Sequence, residues 1–372
     1  MKKVLSAFLL TGLSLTGFAQ TYEFQTLKDI EALPVTTQGI TGTCWSFSAT
    51  SFLEAEIIRQ TGKRIDLSEM YNVRNTYPEK ADNYVMRQGK AQFGEGGLAH
   101  DVINSVRNYG LVPQSVYSGL TPDADKYNHV EMAAVLEAML KVYVDNRAKK
   151  LSPKWKEAVS AVLDVYMGKN ISEFTYEGKK YTPKSFLAMT KINPDDYVTI
   201  SSFSKYPEYK PFLLNIPDNF SNGSFYNLPL NEFVANIDNA LANGFTVELD
   251  CDVSESTFSG KNGVAVIPAN EDDSKSILTE IKPEKEITPA YRQAEFDNFA
   301  TTDDHLMHIV GKVKDQKGNE YYKVKNSWGT DSKRVANGGY VYMSIPYLKL
   351  KAISVLLHKD GLTKKTRKDL GV

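Results

Sequence analysis

The chain has 372 residues, of which 42% are hydrophobic and 24% charged, and its formal net charge is −1. That length allows a large core and roughly two domains. The near-neutral balance gives no sign of nucleic acid or an acidic surface as partner, and no repeat or low-complexity tract marks a fibrous or disordered chain.

Lys2 and Lys3 precede an apolar run over residues 4–15, and Gly17 and Ala19 stand where a signal peptidase reads small residues. Residues 1–19 are therefore expected to be a signal peptide, with the mature chain starting near Gln20 and exported to the periplasm or the medium. No cysteine follows the cut, which argues against a lipid anchor, and no later run is apolar enough to span a bilayer. The chain has only two cysteines, Cys44 and Cys251. A disulfide-stapled exported protein would show a larger, spaced set. A bond between the two would consume a candidate nucleophile at Cys44, so the preferred expectation is two free thiols, with Cys251 a small core residue on a strand over 245–251.

Residues 20–37 read as a lead-in containing a helix over 27–33 that Pro34 ends. The organising stretch follows, from Gln38 through Gly39, Thr43 and Cys44-Trp45-Ser46 to Phe47. A loop carrying one cysteine runs into an apolar helix stopped by Gly62. At a helix N-terminus the unpaired N–H groups and the dipole favour a thiolate, the form in which cysteine is a nucleophile. Ser68 caps a second helix. Gly94 to Gly97 form a loop with bare backbone at Gly96 and Gly97, where a peptide could pair with main chain. A third helix over 99–108 is closed by Gly110.

Residues 121–190 change character. A helix over 130–144 and a second one, opened by Ser152-Pro153 and ended by Gly168, form a helical hairpin read as an insertion. A small β-hairpin turns at Glu177-Gly178, and Thr182-Pro183 caps a short helix. Residues 191–350 read as the sheet-bearing part, with a helix over 230–241 ahead of the Cys251 strand. Asp303-Asp304-His305-Leu306-Met307-His308 then begins a strand. Alternation puts His305 and His308 on opposite faces, which argues against a two-histidine metal site. The next strand ends in Asn326-Ser327-Trp328-Gly329, and a hairpin near Lys317-Gly318 brings Asn326 beside His305. Cys, His and Asn in that order are the parts of a thiol peptidase site.

On these residues the chain resembles the papain-like cysteine peptidases, whose cysteine motif is a known signature. Cys44-Trp45 matches the nucleophile pair, and Gln38 the oxyanion-hole glutamine. Ser68-Glu69 and Gly96-Gly97 match flanking motifs, the glycines lining the substrate cleft. His305 matches the general base, and Asn326 with Trp328 the orienting asparagine and its shield. His305 stands roughly 110–130 residues farther from Cys44 than in papain itself, which makes the bleomycin hydrolase or aminopeptidase C branch the closer resemblance. Residues 110–117, Asp195-Asp196-Tyr197-Val198 and Pro217-Asp218-Asn219 also resemble that branch.

The resemblance implies an α+β, two-lobed papain-like fold. A helical lobe over 20–120 carries Cys44. The helical insertion spans 121–190, and an antiparallel barrel-like sheet lobe over 191–350 carries His305 and Asn326. A tail over 351–372 stands where that branch has a long cleft-entering arm, which is missing or cut short. The segment ahead of Cys44 is too short for an inhibitory propeptide. The implied activity is hydrolysis of peptide or protein substrates through an acyl-enzyme, with no metal or organic cofactor. The expected form is an aminopeptidase. A secreted endopeptidase, and an inactive peptidase-fold binding protein, are the alternatives. An oligomer has no support in the sequence. Glu248 either faces the pocket for the side chain before the scissile bond or is solvated.

Overall fold

The computed structural model describes residues 21–146 and 150–372, so the expected signal peptide at 1–19 lies outside the described residues. In chain order, β1 (Gln25–Asp29) leads to α1 (Cys44–Thr61), α2 (Glu69–Met86) and α3 (Ala99–Tyr109). Then come α4 (Val130–Val144), α5 (Lys154–Met167), the hairpin of β2 (Phe174–Tyr176) and β3 (Lys179–Tyr181), and α6 (Pro183–Thr190). The rest comprises β4 (Tyr197–Ser201), β5 (Pro211–Leu213), β6 (Ser224–Asn227), α7 (Leu230–Ala242), β7 (Val247–Cys251), β8 (Phe258–Ser259) and β9 (Val264–Ala265). It closes with α8 (Pro289–Asp297), β10 (His305–Lys314), β11 (Glu320–Lys325), β12 (Tyr340–Ser344), α9 (Ile345–Lys351), β13 (Ala352–His358) and α10 (Lys364–Leu370).

α1 is not an amphipathic surface helix. Every residue from Cys44 to Ile57 is buried, so its polar positions must find partners inside. Ser46 donates to the Glu69 carbonyl at 2.7 Å, and Ser51 Oγ lies 2.7 Å from Lys325 Nζ. Small hydroxyl side chains let the helix lie close to the sheet. Gly62 ends it in the left-handed conformation at φ 70°, its N–H returning to the Ile58 carbonyl. α2 starts as expected, with Ser68 Oγ accepting from the Tyr71 N–H at 3.0 Å.

The α4–α5 hairpin does not stand apart from this core. Leu136 and Leu140 of α4 and Trp155 and Leu163 of α5 pack in one apolar cluster with Phe52 and Tyr77. Arg74 of α2, almost fully buried, reaches Asp164 of α5 at 2.6 Å.

The eleven-stranded sheet runs β5-β6-β4-β13-β7-β10-β11-β12-β9-β8, with β1 added beside β10. It is antiparallel apart from the β4–β6 and β9–β12 pairs. Strand alternation gives it two covered faces. Leu306 and Leu356 face the core built around α1. Met307, Ile309, Leu249 and Val355 face the core shared with α7 and α9.

The helix expected over 27–33 is instead β1, a correction with a tertiary cause. β7 pairs with residues 305–309 of β10 and leaves the edge beyond Gly311 open. β1 fills that edge antiparallel, with Gln25 opposite Lys314 and Asp29 opposite Gly311. A Cβ on Gly311 would collide with the Lys28 carbonyl, so glycine is what admits the strand. Local propensity yields here to an available sheet edge. At the other end, residues 359–372 fold onto α7, where Asn236 accepts from the Thr363 N–H at 2.8 Å and Asn239 donates to the Gly361 carbonyl at 2.8 Å.

Candidate active site

The loop ahead of α1 is laid against the chain that leaves β11. The Gln38 N–H donates to the Ser327 carbonyl at 2.9 Å, and the Gly329 N–H to the Thr36 carbonyl at 3.1 Å. Thr37 and Trp328 form a β-bridge between these hydrogen bonds. The Gln38 side chain is fixed at both ends: Oε1 accepts from the Ser327 hydroxyl at 2.5 Å, and Nε2 donates to the Thr41 carbonyl at 2.7 Å. These two bonds settle which end of the amide is nitrogen.

Cys44 is the first residue of α1 and is 8% exposed. Burial pushes its thiol up to about 12, and the charges of Asp303 and Asp218 push the same way. Backbone hydrogen bonds from Leu306 and Trp45 oppose them. Leu306 follows His305, so the thiol sits at the head of β10. The helix N-terminus therefore does not outweigh burial, contrary to the thiolate expected from sequence, and the thiol keeps its proton.

His305 is buried, and burial lowers its imidazole to about 4 while the bond to Asn326 pulls it back up. His305 Nε2 lies 2.8 Å from Asn326 Oδ1. The Ser327 N–H donates to that same oxygen at 2.7 Å. Oδ1 is thereby fixed as the acceptor, Nε2 carries the proton, and Nδ1 is left as the basic nitrogen. The Trp328 ring lies over His305, centroids 5.1 Å apart at 32°, and Phe258 meets the Trp328 ring in an edge contact at 5.8 Å. His308 is on the opposite face, buried against Ser51 and Phe52 of α1.

The two glycines differ. Gly97 is buried, and a Cβ there would stand 3.1 Å from the Trp45 ring. Trp45 itself is held by its indole N–H on the Glu95 carbonyl at 2.9 Å. Gly96 is partly open. A Cβ there would collide with the Asp218 carboxylate, and its carbonyl accepts from Lys80. Glu248 is neither solvated nor pocket-facing, a correction to both expectations. It is 1% exposed, with Oε1 2.8 Å from Ser48 Oγ, and burial raises it to about 8, so it is protonated at neutral pH. Cys251 is fully buried, and both cysteines are free.

Sequence reasoning missed Ser327 as the anchor of Gln38; its place directly after Asn326 was the available signal. It also gave no role to Asp218, Asp250 and Asp303. Among the described residues no helix is long and apolar enough to cross a membrane.

A family model described as the Peptidase C1-like family matches residues 14–371. The chain belongs to this family. It is a cysteine-type peptidase with aminopeptidase relatives. It is 25% identical over 371 residues to Aminopeptidase G of Lactobacillus delbrueckii subsp. lactis, covering 89% of this chain and 82% of that protein. It is 23% identical over 390 residues to mitochondrial Cysteine proteinase 1 of Saccharomyces cerevisiae strain JAY291, covering 92% and 78%. The crystal structure of PepW from Lactobacillus rhamnosis HN001 shares the fold, with a TM-score of 0.73 at 19% identity, covering 93% of this chain and 84% of that one. The C1-like peptidase thus has the α+β papain-like fold expected from its motifs.

Proposed function

We propose that this peptidase removes amino-terminal residues from peptides through a covalent acyl-enzyme on Cys44. The observation that carries this reading is the chain of hydrogen bonds from His305 through Asn326 to Ser327, set at the head of the strand that meets Cys44. His305 Nδ1 takes the thiol proton as Cys44 Sγ attacks the scissile carbonyl carbon. The resulting oxyanion is held by a Gln38 Nε2–H and the Cys44 backbone N–H. The C–N bond breaks, and the departing amine takes the proton from the imidazolium. Water, deprotonated by Nδ1, then attacks the thioester carbonyl, releasing the acid and restoring the thiol. Asn326 keeps the imidazole in the tautomer this requires, and Trp328 keeps water from their hydrogen bond. Because burial favours the neutral forms of both thiol and imidazole, proton transfer from Sγ to Nδ1 accompanies the attack.

The similarity to Aminopeptidase G supports exopeptidase action. The test uses one internally quenched peptide with a free or an acetylated amino end, the protein from Gln20 onward, reducing conditions, and Cys44→Ala as control. Stepwise removal of residues from the free form alone is expected. Internal cleavage of both forms would make the protein an endopeptidase, and no Cys44-dependent cleavage would leave a binding protein. We also propose that the protein is exported after cleavage near Gln20, because the residues before it carry a leader pattern. Mass spectrometry of protein made in an exporting host would show an intact Met1 if this is wrong.

A further inference from the structure

Three carboxyl groups that the peptidase chemistry does not use surround the Gly96 flank of Cys44. Asp303 lies two residues before His305. Asp250 of β7 stands opposite Leu306 in the strand register, on the same side of the sheet as α1. Asp218 comes from the loop between β5 and β6 and lies against Gly96. The register sets Asp250 beside the strand head that follows Asp303, and Asp218 reaches the same flank through Gly96, next to the Gly97–Trp45 contact; consistently, the charges of Asp303 and Asp218 both push Cys44 up.

Two features separate this group from a solvated acidic patch. Asp250 is 1% exposed, and among the described residues neither of its oxygens meets a hydrogen-bond donor; burial and the facing Asp303 carboxyl hold it well above the usual carboxylate range. Burying a carboxyl pair with no cation is costly, and a native fold keeps it only where something offsets the cost. Asp218, for its part, is held in place. Asn219 fastens its loop with hydrogen bonds to the Leu214 and Gly223 carbonyls and from the Gly223 N–H. Ser221 ties the loop to Asp101 of α3 at 2.6 Å. Among the described residues the Asp218 carboxylate accepts from Gln92 alone, at 3.2 Å. The nearby Lys80 ammonium is directed to the Gly96 carbonyl and over the Phe220 ring. Asp218 and Asp303 are both partly open to solvent. Among the described residues no three His, Cys, Asp or Glu side chains are arranged to hold a metal ion.

We infer that Asp218 and Asp303, backed by the buried Asp250, form an anionic subsite that binds the ammonium group of a peptide's free amino terminus. Two of these charges are felt at the Cys44 sulfur itself. An α-ammonium is only a few bonds from the scissile carbonyl when one residue is removed, whereas a lysine or arginine head group lies farther off. The occupant would add a positive charge beside Asp218 and Asp303 and would lower the Cys44 thiol as it binds, so that substrate activates the nucleophile. This inference rests on the aminopeptidase reading and adds the residues that enforce it.

The test separates the two. Binding is measured by calorimetry on Cys44→Ala protein, which cannot turn over, with Leu-Gly-Gly amide, its N-acetyl form, and N-acetyl-Lys-Gly-Gly amide. Leu-Gly-Gly amide is expected to bind, and Asp218→Asn and Asp303→Asn are each expected to weaken it about 10- to 100-fold, the range of a charge-assisted hydrogen bond. Acetylation should weaken binding similarly, and thermal melts would show that both variants fold. Equal affinity in all three proteins would overturn the subsite. Asp-dependent binding of the acetylated lysine peptide in preference to the free terminus would overturn the assignment to the amino end. Loss of hydrolysis by the wild-type protein with the binding pattern intact would remove the peptidase reading and leave the subsite standing.

Discussion

Ser327 donates its hydroxyl hydrogen to the Gln38 side-chain carbonyl at 2.5 Å. This bond crosses from the strand that delivers Asn326 to the loop that delivers Cys44, and it leaves the Gln38 N–H groups pointing away from Ser327. Ser327→Ala removes the bond without adding bulk and frees the amide to turn. The expected result is a fall of about tenfold in kcat with KM little changed, as for loss of a transition-state contact. A fall confined to KM would contradict the role given to Gln38.

The thiol itself offers a second check. Negative charge at Asp218 and Asp303 disfavours the thiolate, so removing either charge must lower the Cys44 pKa. Rates of alkylation by iodoacetamide should rise with pH in the native protein. The same rise should occur at lower pH in Asp218→Asn. Superimposed profiles would show that the Asp218 charge does not reach the sulfur.

Glu248 predicts a pH dependence of stability. Its folded value is raised to about 8, above an unfolded value of about 4.3. Its contribution is full below the unfolded value and is lost as pH rises through the folded one, by up to about 1.4 kcal/mol per pH unit between them. Glu248→Gln keeps the shape and a bond to Ser48 but cannot ionise. Its Tm should therefore gain on the native protein's between about pH 5 and pH 8. A constant difference across that range would mean Glu248 is ionised in the fold.

Gly97 is a steric position. A Cβ there would stand 3.1 Å from the Trp45 ring, and Trp45 flanks Cys44. Gly97→Ala should cost about 1–3 kcal/mol in denaturant unfolding, with activity reduced in the protein that remains folded. A variant of native stability would show that Trp45 has room to shift.

Leu136 tests whether the helical hairpin is part of the first lobe. It is fully buried in the cluster that also holds Phe52 of α1. Leu136→Ala should cost about 2–5 kcal/mol and lower the unfolding midpoint followed by activity together with that followed by helix content. An earlier, separate loss of helix content would mark the hairpin as an independent unit.

How much of this was legible in the sequence depended on distance along the chain. Cys44-Trp45, Gln38 and Asn326-Ser327-Trp328 are local patterns, and the turn at Gly318 (φ 89°) sets the hairpin that carries Asn326 to His305. Helix ends at Ser68, Gly62 and Thr182 were legible for the same reason: a cap is decided by a few neighbouring residues. β1 was not, because only the open edge beside Gly311 makes residues 25–29 a strand. Glu248 looked like a strand residue free to face solvent or pocket, since nothing nearby in sequence shows that α1 covers it. The meeting of Asp218 with Gly96 joins a loop to a turn through tertiary packing, which no spacing rule reports.

The strand order has a further consequence, for the order of folding. β13, the last strand in the chain, lies between β4 and β7 in the middle of the sheet. At the other end, Gln316 reaches the Thr21 carbonyl across 295 residues of chain. On a growing polypeptide the first contact has to wait for residues 352–358 and the second for residue 316. A nascent chain would carry two unpaired strand edges until then, and its sheet assembles late and slowly because its pairings are so non-local.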